Sequence, residues 1–583
     1  PIAMNAMALS LNAEPSSAPA GAAEFVARAR LAFQSGVFET AAELCRRALE
    51  LDVRAAGAWH LLGILAAQLG KEDDALQLLG TAAGLGPNSV EHHNDFAVAL
   101  KRSGRLEEAK VSLERAIELA PTHVTARQNL ASVQFELGKG ARAARDHARA
   151  ERHLATARRH APDRLDIVRE LAATLVDAGR PAEAVPLLEW ARGVAPDDPA
   201  FACCHGAALR LAEEHERSIE ELRAATRRFP DIAAVWNDLG GSLQEQGVLT
   251  SDDALLDEAD VAFGRAIALV PSDWRLGFNL GLLRLMRGDF AGGLPHYEAR
   301  FRDGSERLGA YPKPLWRGEP LEGRTVLLHA EQGLGDTLQF VRYAACVRER
   351  GGYVVLQCQK PLRALLGGCK GVDTVVDEEA PLPPFDVHAP LLSLPAIFGT
   401  TTGTIPNAVP YILPDPELVA AWRARVAERP GLRIGIAWQG NPDFSRDRLR
   451  SVPLRHFEPL ARIPGVTLYS LQWGAGREQL ADFPASSGVI DAALPWSEAA
   501  ALVSLLDLVV TSDTSIAHLA GALGRPVWVA LSANPDFRWQ LRRSDCPWYP
   551  SMRLFRQPAP HDWPAVFANM ARELATMLQA PHS

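Results

Sequence analysis

Glycine recurs at positions 36, 70, 104 and 138, a constant step of 34 residues. Proline keeps the same step from 87 to 121, and again through 162, 196 and 230. The intervals 121 to 162 and 230 to 271 are 41 instead, so two units carry seven extra residues, around AARDHAR and LTSDDAL. An apolar triplet falls in register, with Trp59, Leu62 and Gly63 matching Trp236, Leu239 and Gly240. Small residues such as Ala75 and Ala109 follow twelve positions on. A period of this length reads as stacked helix–turn–helix units. The glycine is expected to end each first helix in a left-handed conformation and the proline to mark the exit of the second. The small residues let the paired helices approach.

This pattern resembles tetratricopeptide repeats over about residues 24–300, some seven or eight units. Such arrays stack into a solenoid whose concave face binds peptide or protein, so a protein acceptor or partner is expected there. A bland alternative is that the array only holds a homodimer together.

At 583 residues the chain exceeds a single hydrophobic core. A net charge of −9 argues against a general nucleic-acid binder. The seven cysteines lack ligand spacing and read as reduced, packed hydrophobes, with no metal site expected. No run approaches the about 20 apolar residues of a membrane span, and PIAMNAMALS lacks the basic-then-apolar order of a secretory signal. A cytoplasmic protein is the expectation.

Past the proline-rich stretch near 312–320 the texture changes. TVLLHA (325–330), a glycine turn, an amphipathic helix and YVVLQC (353–358) begin a parallel βαβ half. A second half opens at RIGIAWQG (433–440) and continues through LVVTSD (508–513) and PVWVAL (526–531). The fold class expected is an α-helical solenoid plus α/β, the latter as two Rossmann-like, doubly wound lobes. The boundaries read as a flexible N-terminus (1–23), solenoid (24–305), linker (306–323), first lobe (324–415), connecting segment (416–432) and second lobe with a closing helix (433–583).

Ligands of such sheets bind beyond the carboxyl ends of the strands, and three loops there hold unusual residue sets. In GLGDT (333–337), Gly335 permits close backbone approach and Asp336 stands at a helix start. It is a candidate base for an attacking hydroxyl, or simply a helix cap. The loop WQGNPDFSRDRLRSVPL (438–454) offers Gln439, Asn441, Arg446, Arg448 and Arg450 after an apolar strand. Its arginines suit a diphosphate, or form a solvated basic loop. In SDTSIAHLAGALGRP (512–526), Asp513, Thr514 and Ser515 open a helix, with His518 one turn in. Hydroxyls and free N–H groups at a helix start favour an anion. Trp539 and Arg538, in NPDFRWQL, lie where a sugar would stack, although packing aromatics are the simpler account.

DTSIAHLAGALGRPVWVAL resembles the nucleotide-binding motif of heptosyltransferase-like glycosyltransferases, and GLGDTLQF their early Gly-Asp motif. The resemblance spans about residues 324–560. It implies a GT-B fold, a nucleotide-sugar donor, inversion at the anomeric carbon and no essential metal or cofactor. It makes Asp336 the base, with Gly335, Gln439, Asn441, Arg448, Arg450, Asp513, Thr514, Ser515 and His518 as donor contacts. Two departures separate this chain from the pattern: Ser515 replaces the usual glycine, and the phosphate-binding lysine is missing, leaving Arg448 or Arg450 to serve. Arginine is not a neutral replacement, so the nucleotide and the sugar stay open. By architecture the fusion is similar to bacterial flagellin glycosyltransferases, which implies a protein acceptor modified on Ser or Thr. A transferase for lipopolysaccharide or lipid-linked sugars is an alternative; it predicts a basic or apolar membrane-facing patch, and no amphipathic basic helix is read in this acidic chain. A third reading is a non-catalytic scaffold that keeps a nucleotide-binding module.

Overall fold

The computed structural model describes residues 20–303, 311–428, 431–444, 447–484, 489–492 and 494–579. Residues 1–19 of the expected N-terminal segment, 304–310 at the linker, and Arg446 lie outside them. The chain divides into two compact units, 1–218 and 219–583.

The first unit is a helical-repeat array. Its first helices are 13 residues long where the unit is regular (Ala56–Gln68, Val90–Arg102), and their partners 14 (Glu72–Leu85, Leu106–Leu119). Gly36, Gly70 and Gly104 close first helices at φ of +74°, +71° and +78°, a conformation that costs any residue with a Cβ. Gly63 and the buried Ala75 let paired helices meet: a Cβ at Gly63 would fall 2.6 Å from Leu79.

Gly138 departs from the periodic expectation. It lies inside the helix Val124–Ala143, which is 20 residues long and absorbs all seven extra residues. The turn moves to Ala144–Asp146, and Arg145 takes the positive φ of 59°. Gly138 instead does what Gly63 does, one heptad later: its Cβ would meet Leu154 at 2.6 Å. Two turns of helix preserve the contacting face, so the insertion slides the close-packing glycine along the helix without changing its role.

The partner helix His147–His160 corrects a second reading. It is amphipathic and basic, with Arg149, Arg152, Arg158 and Arg159 against Glu151. Its apolar stripe of Ala150, Leu154 and Ala157 is spent inside the array rather than offered to a membrane.

The second unit begins with further helix pairs, Ala233–Thr250 with Asp253–Leu269 and Trp274–Met286 with Phe290–Tyr297. Two parallel sheets follow. In the first, β1 (Thr325–His329), β2 (Tyr353–Cys358), β3 (Thr374–Asp377) and β4 (Val387–Pro390) lie in the order β3-β2-β1-β4. The second holds β5 (Leu432–Ala437), β6 (Val466–Ser470), β7 (Ile490–Asp491), β8 (Leu508–Ser512), β9 (Val527–Leu531) and β10 (Met552–Arg556). Their order, β10-β9-β8-β5-β6-β7, is that of a doubly wound nucleotide-binding sheet. Both lobes are therefore Rossmann-like, as the alternation of apolar runs implies.

Side chains alternate across the second sheet. Ile434, Ile436 and Val510 face the closing helix Trp563–Gln579 through Phe567, Met570 and Leu574. On the other side, Val509, Val527 and Val529 join a core that runs through both lobes and into Leu280, Met286 and Phe290 of the last helix pairs. Tyr297 stacks on Phe278 at 5.5 Å and meets Phe537 at 5.4 Å, and Leu541 N–H donates to Met286 O at 3.1 Å. The last helix pairs thus pack with the two α/β lobes as one body. Cys45, Cys358, Cys369 and Cys546 are free thiols buried in the core. Among the described residues no helix is long and apolar enough to cross a membrane.

Candidate functional site

Strand order reverses between β1 and β4 in the first sheet and between β5 and β8 in the second. Crevices open beyond the carboxyl ends at such switch points. The loops singled out in the sequence leave β1, β5 and β8 there.

The helix Leu334–Phe340 packs against the helix Ser515–Ala522, joining the two lobes at their glycine-rich motifs. Gly335 makes this contact possible. A Cβ there would stand 2.9 Å from His518 Cδ2 and 3.5 Å from Ser515 Cα. Gly335→Ala is expected to cost about 1–3 kcal/mol through overpacking and to lower turnover by pushing the Asp336 loop from His518; a melting curve and a rate together check it.

Asp336 is largely buried, with 16% of its side chain exposed. One carboxylate oxygen accepts the Gly333 N–H at 2.9 Å, so the helix cap is real. The other pairs with Arg538. Burial pushes the Asp336 carboxyl above its usual range; Arg538 pulls it back and Asp536 pushes it up again. Arg538, 12% exposed, also bonds Asp536 at 2.8 Å. Burial alone would lower the Arg538 guanidinium, but Asp336 and Asp536 outweigh it.

Asp513, at the end of β8, is likewise raised, first by burial and then by Asp536, against the pull of Arg450. Thr514 caps the following helix by position, yet its hydroxyl pairs with Thr511 Oγ1 at 3.0 Å and leaves the first-turn N–H groups without a side-chain cap. His518 is buried, stacks on Trp539 at 5.4 Å and 20°, and places Nδ1 3.1 Å from the Tyr549 hydroxyl. Arg450 lies 3.1 Å from the buried Asp447 and over the Phe444 ring at 4.7 Å. Its charge bears on Asp336, Asp513 and His518 together.

The fold thus gathers Gly335, Asp336, Arg450, Asp513, Thr514, Ser515 and His518. The side-chain hydrogen bonds of the remaining three, where the described residues show any, stay within their own lobe. Gln439 turns its amide to Gln479 at 3.2 Å and scaffolds the loop. Asn441 is exposed and accepts the Asp443 N–H at 3.0 Å. Arg448 is exposed and makes no ion pair among the described residues. Asp536, Tyr549 and Arg342 were not legible as site residues. The sequence puts Arg538 where a sugar would stack but does not reveal its ion pair with Asp336, which spans 202 residues. Trp539, read as a packing aromatic, is fully buried.

Helical repeats joined to a two-lobed, doubly wound α/β module with this motif pair define a repeat-bearing protein of glycosyltransferase type. The glycosyltransferase family 9 (heptosyltransferase) model matches residues 491–539, which hold Asp513, His518 and Arg538. Tetratricopeptide repeat models match residues 26–90, 93–123 and 141–202. The chain therefore carries tetratricopeptide repeats fused to a glycosyltransferase family 9 domain. It is similar along its length to Protein FlbA of Caulobacter vibrioides, 25% identical over 582 residues, covering 95% of this chain and 89% of that protein. Among solved structures it is similar to YrrB, a tetratricopeptide repeat protein with an unusual peptide-binding site, at 19% identity and a TM-score of 0.28, over 35% of this chain and 97% of that one. Naa15/Naa10 bound to HypK-THB matches at 15% identity and a TM-score of 0.35, over 48% of this chain and 42% of that one.

Proposed function

We propose that the chain is an inverting, metal-independent glycosyltransferase that moves a sugar from a nucleotide-sugar donor to Ser or Thr hydroxyls of a flagellin-like protein acceptor held by the repeats. The observation that carries this is the convergence of Asp336 from one lobe with Arg450, Asp513 and the start of the Ser515–Ala522 helix from the other. In the reaction the acceptor oxygen forms a bond to the anomeric carbon while the bond from that carbon to the diphosphate oxygen breaks. Asp336 takes the hydroxyl proton, and the nucleoside diphosphate leaves with the electron pair. A carboxylate oxygen already engaged in one hydrogen bond retains a lone pair for that proton. Charge arising on the leaving diphosphate falls to the Arg450 guanidinium and the helix N–H groups, both pre-oriented and partly desolvated. With Asp336 acting as the base, the acceptor oxygen displaces the diphosphate in a single step, which inverts the anomeric carbon.

The repeats support a protein acceptor because such arrays present extended surfaces to protein. The test is intact-mass measurement of candidate acceptors, flagellin first, co-expressed with the chain. A discrete increment on the acceptor, lost with Asp336→Asn, is expected. An acceptor of unchanged mass alongside transfer to lipid-linked or lipopolysaccharide sugar would refute the protein acceptor. Absence of binding to ADP, UDP, GDP and CMP in calorimetry would refute the transferase.

A further inference from the structure

Arg342 is a buried guanidinium with no carboxylate partner among the described residues. Its Nε donates to Gln339 O at 2.8 Å, Nη1 to the Trp548 and Pro406 carbonyls, and Nη2 to the Tyr411 hydroxyl at 2.9 Å. The rings of Tyr411 and Tyr549 clasp it at 4.7 and 4.4 Å. A buried cation held only by neutral dipoles and ring faces is costly, so the cluster has to be ordered.

Proton bookkeeping along this cluster reaches His518. Tyr411 Oη accepts from Arg342, and its own proton goes to the Leu338 carbonyl at 2.8 Å, which can only accept. Tyr411 Oη is also the donor across its 3.4 Å contact with Tyr549 Oη, which leaves the Tyr549 proton to His518 Nδ1 at 3.1 Å. A neutral imidazole that accepts at Nδ1 carries its proton on Nε2. Burial, then the charges of Arg538, Arg342 and Arg450, hold this imidazole well below its usual range, so it is neutral. Burial likewise keeps the Tyr549 phenol protonated. Nε2 makes no hydrogen bond among the described residues and lies 3.6 Å from where a Gly335 Cβ would stand, beside the Asp336 loop. The Tyr549 ring reaches this position only because residue 521 is glycine: a Cβ there would meet the ring at 2.5 Å.

We infer that Tyr549, braced by Tyr411 and Arg342, is a positioning residue that fixes His518 as the Nε2–H tautomer, presenting a neutral proton donor to the diphosphate of the donor substrate. This rests on the glycosyltransferase reading only for the identity of the acceptor group; the tautomer is a property of the free protein. A neutral donor stabilises a phosphate oxygen without adding a cation that would pair permanently with Asp336 or Asp513.

The test is long-range proton–nitrogen NMR of the full chain labelled with 15N-histidine, with His518 assigned by its disappearance in His518→Gln. A single Nε2–H pattern is expected in the unmodified protein. Tyr549→Phe should convert it to an averaged pattern of both tautomers and lower kcat about tenfold, with little change in donor KM. Tyr411→Phe should keep the Nε2–H pattern, because Tyr549 is then left with His518 as its acceptor. An Nδ1–H pattern in the unmodified protein overturns the proposal, and that spectrum needs no variant to fold. So does a Tyr549→Phe protein with tautomer and kcat both unchanged. If the Nε2–H pattern is found but none of ADP, UDP, GDP or CMP perturbs the His518 resonances, the tautomer assignment stands while the diphosphate role and the glycosyltransferase reading fall.

Discussion

Asp336→Asn is expected to reduce kcat/KM for sugar transfer by about 10²–10⁴-fold, the usual contribution of a general base. The amide keeps the shape of the side chain and one oxygen to accept the Gly333 N–H, so the helix start survives. What it loses is the basic lone pair and the charge facing Arg538. Donor affinity, measured by calorimetry, should change far less than turnover, because in the proposed reaction the diphosphate is met by Arg450 and the Ser515 helix start. Unchanged turnover removes the base assignment and leaves Asp336 as a cap. The pH profile provides an independent check. A base must be ionised to work, and burial raises the Asp336 carboxyl above its ordinary range. Activity should therefore climb with pH along an acid limb lying above that of a solvent-exposed aspartate. Arg538→Gln removes the charge that pulls this carboxyl down and is expected to move the limb to still higher pH.

Arg300→Met is expected to destabilise the second unit by about 3–5 kcal/mol, the cost of stranding a buried charge. Arg300 and Glu331 expose only 3% and 2% of their side chains. Arg300 Nε lies 3.0 Å from Glu331, Nη1 2.6 Å from Glu298 and Nη2 2.8 Å from Ser393 Oγ. Glu331 also accepts the Leu392 N–H at 3.0 Å. Without Arg300, Glu331 loses the buried cation that faces both of its oxygens. Urea unfolding of the full chain, followed at the second unit's transition, reads the loss. Arg300→Met combined with Glu331→Leu should recover most of it, since removing both charges removes the desolvation penalty too. A single variant costing less than about 1 kcal/mol would mean that the pair is solvated in solution. The effect also reaches the chemistry: Glu331 sits in the β1 loop, five residues before Asp336. A displaced loop should slow transfer beyond what the lost stability explains.

The repeat half was legible because each unit solves the same local problem. Helix pairing needs a left-handed residue at the turn and a small residue at the contact, and both needs repeat with the period. Gly138 shows the limit of that reading: its place in the count matched a turn glycine, while its neighbour Leu154 makes it a contact glycine. Periodicity cannot separate two roles that the same residue type fills. In the α/β half, apolar runs and glycine turns specified parallel strands and marked the loops after β1, β5 and β8, since carboxyl-end loops are recognisable by what precedes and follows them.

The chain's own residue order determined the repeats, the two doubly wound halves and the candidates Gly335, Asp336, Arg450, Asp513 and His518. Tertiary structure alone decided that Arg538 faces Asp336, that Tyr549 meets His518 Nδ1, and that Arg300 buries itself on Glu331. Those partners are 202, 31 and 31 residues apart and obey no period. Local sequence fixes backbone conformation through sterics and short-range hydrogen bonds. Which distant charges meet is set by how the sheets and helices pack, and it is packing that removes the water and makes those meetings consequential.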